Sequence, residues 1–261
     1  MTTSGERPTT KTGRVYGLAR VCVLIARMPR GPDLQRRLAC HQALHDPARE
    51  PRNRLRWLPE VRRWQAARLE VSFGRFLDDP RRAPAAHFFL TDVYGDHDFT
   101  RRDADIARVL PTMQHLLPAS LLETVGDGIA LGSLTHAFDL RMAQVLHAIA
   151  PNGRRLDDAR YCEAYRQVGK PLLRDRQIGL ILEVGHGLGA ALRLPGIGML
   201  LRMSRGPAHA AGLSELQGFL ERGVVAFRQL GDVDAFLSEI QRSERAIAAR
   251  LWAGDPDPFR E

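Results

Sequence analysis

Glu183 and His186 form a Glu-x-x-His pair in a helical stretch. This is the i, i+3 spacing with which di-iron carboxylate bundles aim two ligands at one metal. His136 and Asp139 repeat the carboxylate–imidazole pairing on another helix, and Glu123, Glu215 and Glu221 are further oxygen donors on helices. Brought together, Glu183, His186, His136 and Asp139 could hold iron or manganese in a helical core and do oxygen chemistry. Two features weigh against this metal-dependent oxidoreductase. Such sites use Glu-x-x-His twice and here it occurs once, and among nine histidines and thirty acids an i, i+3 pair is expected by chance.

A second cluster surrounds a turn. Asp92 falls on the apolar face of Ala85, Phe88, Phe89 and Val93, and Asp98, Arg102 and Asp103 follow within eleven residues. Close carboxylates can make an acid/base or metal site. The same residues can instead form a buried ion-pair and capping network that fixes the corner, with Thr100 and Asp103 as a capping box. Capping accounts for Asp103 and an arginine neutralises the rest, so the structural reading is favoured. On that reading Asp92→Ala costs several kcal/mol, as for a broken buried pair.

Other candidate chemistry is thinner. Cys22, Cys40 and Cys162 are odd in number and have no CxxC pairing, which argues against a disulfide framework or a structural zinc site. The glycine runs GHGLG and PGIG follow no predicted strand, so they do not read as phosphate-binding loops. Glycines inside a helix mark close approach of another backbone, or room for a ligand.

The elements that must position these groups read as helices. A helix runs to His45 from a cap at Asp33, and another covers Leu58 to Leu77 with Trp57, Val61 and Trp64 near its apolar face. Pro84 starts the helix bearing Phe88 and Phe89. Pro111 is expected to kink or restart the next one, whose stripe is Ile106, Val109, Leu110 and Met113. Ser120 and Glu123 cap a long helix reaching about Ile149. Asp158 opens a short helix ended by Gly169, and Pro171 opens the glycine-bearing helix. Residues 195–212 read as an irregular apolar connection tucked into the core or lining a cavity. A capping box at Ser214 and Gln217 opens a helix closed by Gly231, and Asp232 opens the last.

The run FFLTDVYGDHDFTRRD, from Phe88 to Asp103, resembles a box of Phe-Phe-Leu-x-Asp-x-Tyr-Gly followed by Asp-Phe-x-x-Arg-Asp. That box belongs to a family of all-helical proteobacterial proteins of unknown activity. Weaker echoes lie at Trp64–Leu69, Ala164–Gly169, Arg205–Gly212 and Glu215–Gly223, so the resemblance spans residues 57–253. It implies a helical fold and a bacterial source and brings no activity with it.

Hydrophobic content of 44% and charged content of 26% are ordinary for a globular chain. The net charge of +8 is uneven: residues 1–63 hold 14 basic and 5 acidic residues, the remainder 24 and 25. A basic arm can touch nucleic acid or an anionic membrane. No zinc-finger spacing, helix-turn-helix or RNA-recognition motif accompanies it, so nucleic acid is not expected as a partner. The apolar run Val21–Ala26 is too short to span a bilayer. The expectation is an all-α single domain of about eight helices over residues 33–253, with a basic disordered leader over 1–32 and a tail over 254–261. Its location is expected to be cytoplasmic. Its role is read as non-catalytic binding of a partner protein, an apolar small ligand or a second copy.

Overall fold

The computed structural model describes residues 34–93, 105–111 and 119–260. Ten helices follow in order: α1 Leu34–His45, α2 Trp57–Ser72, α3 Gly74–Leu77, α4 Ala83–Phe88, α5 Ala119–Ile149, α6 Asp158–Val168, α7 Pro171–Leu192, α8 Ile197–Ala210, α9 Ser214–Leu230 and α10 Val233–Ala253. Residues 105–111 make an eleventh α-helical segment, so the described residues hold eleven rather than about eight. They contain no strand. A 3-10 turn at Pro51–Arg54 and a π turn at Phe89–Val93 complete the set. The excess arises in part where one expected helix becomes two, since the stretch 58–77 breaks at Phe73, whose N–H bonds back to the Leu69 carbonyl, before α3 begins at Gly74, and in part where the expected irregular connection over 195–212 folds as α8.

α5 is the axis of the fold. It is rich in Ala and Leu and contains no proline, and its buried stripe includes Leu134, Phe138, Met142 and Leu146. α1, α2, α6 and α7 pack around it, α10 packs on α7, and α9 carries α4 and α8. An aromatic cluster of Phe73, Phe76, Phe89 and Phe236, all 3% exposed or less, joins α2–α4 to α10. Trp57 and Trp64 are packing residues, as their spacing indicates. Trp57 is buried and donates to the Ala150 carbonyl (3.2 Å), while Trp64 stacks on Tyr161 (3.7 Å between centroids).

The glycines of α7 serve close packing. A methyl group at Gly185 would come within 2.5 Å of Leu237 on α10, and one at Gly187 would run into Thr124 on α5. Several expected caps are present. Gly169 has φ +66° after α6, and Asp232 accepts from the backbone N–H of Ala235; α6 begins at Asp158 as expected, but its capping side chain is the preceding Asp157, which accepts from the Arg160 N–H. The capping box at Ser214 is not formed, since Leu213 stands at the N-cap and Gln217 bonds the Leu201 carbonyl (2.6 Å).

The connection over 195–212 departs most from expectation. It folds as α8, bent by 94° from α7, and no residue of it is buried. Gly206 and Pro207 lie in its last third. Pro207 there removes only the bond to the carbonyl of solvent-facing Met203. No single described helix is long and apolar enough to cross a membrane.

Candidate functional site

Where α2, α5, α6, α7 and α10 meet, polar side chains interrupt the core. Tyr161 and Tyr165 are one turn apart on α6, Arg174 and Gln177 on α7, and Gln65 and Arg68 on α2. Thr135, Phe138 and Asp139 come from α5 and Glu244 from α10. Arg174 reaches the interior because the chain turns through Gly169 and Lys170, both at positive φ, into Pro171 at the first turn of α7.

Apart from Phe138 and Asp139, which lie behind its wall, these side chains line a partly open cavity of about 80 Å³. Its wall is half polar, with Arg68, Arg174 and Glu244, and half apolar, with Ile178, Ile181 and Ile240. Arg68 forks onto Glu244 at 2.6 and 3.1 Å. Burial opposes the Arg68 cation, but the charge and hydrogen bonds of Glu244 hold it protonated above its ordinary value. Arg174, 7% exposed, lies 3.6 Å above the Phe138 ring and 4.8 Å from that of Tyr165. Its Nη1 donates to Gln177 (3.1 Å), and Gln177 donates to Thr135 (2.8 Å). Its Nε and Nη2 are buried and find no partner among the described residues. Burial raises the pKa of Tyr161, and it pushes that of Tyr165 up to about 12. Both phenols are therefore neutral.

Asp139 and His136 lie beside this cavity. Asp139 is 5% exposed, its nearest cation is Arg62 Nε at 3.9 Å, and its Oδ1 makes no well-formed hydrogen bond among the described residues. Burial raises its pKa from the usual 3.8 to about 6 against the pull of Arg62 and Arg174. Both ring nitrogens of His136 are engaged, Nδ1 by Arg62 Nη2 and Nε2 by Asn53 Oδ1, each at 2.8 Å. Arg62 can only donate, so Nδ1 accepts and the proton sits on Nε2. Burial first, then His45 and Arg62, hold this ring neutral far below the ordinary imidazole value. His136 also stacks on His45 at 3.9 Å.

The other expected ligands sit elsewhere. Glu183 bonds Arg176 Nη1 (2.5 Å), and exposed His186 pairs with Asp234 (2.9 Å). Among the described residues no three His, Cys, Asp or Glu side chains gather as a metal-binding group. At the other cluster, Asp92 is fixed by Arg222 of α9 at 2.6 and 2.8 Å. Asp98, Arg102 and Asp103 lie outside the described residues. Cys162 is buried, and burial raises its thiol pKa.

Comparison with known families gives one result: the profile of the domain of unknown function DUF8198 matches residues 44–258. The chain belongs to that family. The matched span contains the Phe88–Asp103 box and extends beyond the region of resemblance at both ends. No curated protein and no solved structure matches the chain. In this DUF8198 domain, sequence reasoning missed Arg174, Arg68 and the two tyrosines. A signal was available: Arg174, Ile178 and Ile181 stand at i, i+4 and i+7, which places an arginine on a buried stripe.

Proposed function

We propose that the domain is a non-catalytic binding module whose interior cavity takes a short-chain carboxylate. The acid group meets Arg174, and the few carbons behind it rest on Ile178, Ile181 and Ile240. One observation carries this reading: two buried nitrogens of Arg174, at the wall of a cavity, have no partner among the described residues. A buried unsatisfied donor is costly, and a cation's donor more so. The local charge agrees with it. Arg62, Arg68 and Arg174 face only Asp139 and Glu244, a surplus of one positive charge that a monoanion would balance. A cavity of about 150 Å³ holds benzene, so this smaller one has room for roughly three to five heavy atoms. Binding is favoured over catalysis because the tyrosines are neutral and Glu244 is held by Arg68, which leaves no activated nucleophile or base at the wall.

The test is thermal unfolding with acetate and propionate, against propionamide as the uncharged shape control. Tm should rise with an acid and not with the amide, by the equivalent of about 2.7 kcal/mol at a hundredfold excess over Kd. Arg174→Met should fold, since replacing a buried charge by an apolar side chain of similar volume is often neutral or stabilising, and it should lose the response. Equal shifts with acid and amide, no shift with any acid, or a response retained in Arg174→Met would each overturn the reading.

A further inference from the structure

α8 presents a second surface, independent of the cavity. Leu201, Ser204 and Ala208 turn towards the body of the fold, where Ser204 meets Gln217 of α9 (3.2 Å). The opposite face is apolar yet faces solvent: Met199 is 58% exposed, Leu200 61% and Met203 71%. Met199, Met203 and Ala210 align at i, i+4 and i+11, with Leu200 and Pro207 beside them. Arg202, Arg205 and His209 form one flank, Arg205 being forked onto Glu221 of α9 at 2.6 Å through both Nε and Nη2, and Leu194 continues the apolar surface in the preceding bend. Residues 184–214 contain three arginines and no Asp or Glu. Beneath the helix an open groove of about 510 Å³ is lined by Arg202, Arg205, Arg222 and Arg228 against Asp92 and Glu221, an excess of two positive charges.

We infer that α8 docks on an anionic lipid surface, with Met199, Leu200 and Met203 entering the acyl boundary and Arg202 meeting headgroup phosphates. An exposed apolar stripe beside a basic flank, on a helix lying across its neighbour, is the arrangement of an interfacial helix. The charge selects this occupant. A second copy packed symmetrically on the same face would set arginine against arginine. Methionine and arginine also suit protein interfaces, so an acidic protein partner is distinguished by experiment.

Flotation of the full chain with vesicles tests the inference, using phosphatidylcholine alone and phosphatidylcholine mixed with phosphatidylglycerol. The chain should float with the mixed vesicles only and be released by high salt. M199S/M203S should weaken binding about tenfold or more, and Arg202→Gln about fivefold. These side chains are exposed, so the thermal midpoint should be unchanged, which separates lost binding from lost fold. Failure to float, equal flotation on uncharged vesicles, or binding untouched by M199S/M203S overturns the inference. A concentration-dependent dimer abolished by M199S/M203S would assign the face to a second copy instead. Methionine-dependent binding to polyglutamate without flotation would assign it to an acidic protein.

Discussion

Asp139→Asn should stabilise the protein at neutral pH, although it removes the carboxylate nearest Arg62. Burial is the reason. Asp139 is nearly inaccessible, its closest cation is a long 3.9 Å away, and its Oδ1 has no well-formed bond among the described residues. Its pKa rises from 3.8 to about 6, so the folded state holds the proton more tightly than the unfolded chain. The stabilisation this proton brings is present in full below the unfolded value and is lost as pH rises through the folded one. At pH 7 the ionised carboxylate therefore costs about 3 kcal/mol, at about 1.4 kcal/mol for each pKa unit. Asparagine has the shape of the protonated acid and carries no charge. Urea unfolding should thus show a gain of about 3 kcal/mol at pH 7, shrinking to roughly 0.5 kcal/mol at pH 4. A loss of similar size at pH 7 that vanishes at pH 4 would refute the reasoning. It would mean that the Arg62 attraction outweighs desolvation.

His136 gives the opposite pH dependence. It stays neutral in the fold while the unfolded imidazole titrates near its ordinary value, so stability should fall by about 1.4 kcal/mol per pH unit below about 6.5. Asp139 offsets this between about pH 4 and 6, so the slope should emerge in Asp139→Asn, and a flat profile there would contradict a neutral buried His136. Glu244→Ala should cost roughly 3 kcal/mol by leaving Arg68 enclosed without its forked partner, read by urea midpoint. Gly185→Ala should cost about 1 kcal/mol net, because overpacking against Leu237 exceeds the helix-propensity gain, and a stabilised variant would show that α10 can shift. Asp92→Ala should cost only about 1 kcal/mol, since its partner Arg222 is largely exposed and screened.

The Asp92 figure shows where sequence reasoning reached and where it stopped. Phe88 and Phe89 were legible as core because helical spacing fixes which side chains share a face, and both are buried. The same spacing puts Asp92 on that face as part of a buried pair, whereas the carboxylate is only partly enclosed and its partner is largely exposed. It could not name the partner, because Arg222 is 130 residues away and belongs to another helix. Helix ends set by local chemistry were legible for the same reason, at Gly169, Gly231 and Asp232. α8 was misread because composition says what a residue prefers but not whether a neighbour arrives to cover it. Met199, Leu200 and Met203 are apolar, and no described residue covers them.

The interior site was half legible, and the missing half is instructive. His136 and Asp139 drew attention as metal-ligand types, and both are buried polar groups beside the cavity, in contact with arginine rather than with further ligands. Arg174 was passed over as one of many arginines in an arginine-rich chain, yet it differs from the rest in its register. An arginine at i of a stripe continued by Ile178 and Ile181 must either bend out to solvent or be held inside. Pro171 and the left-handed turn before it fix the start of α7, Phe138 and Tyr165 stack against the guanidinium, and Gln177 satisfies only one of its nitrogens. The desolvation of that cation has to be offset by something, and the cavity beside it is where an anion would do so.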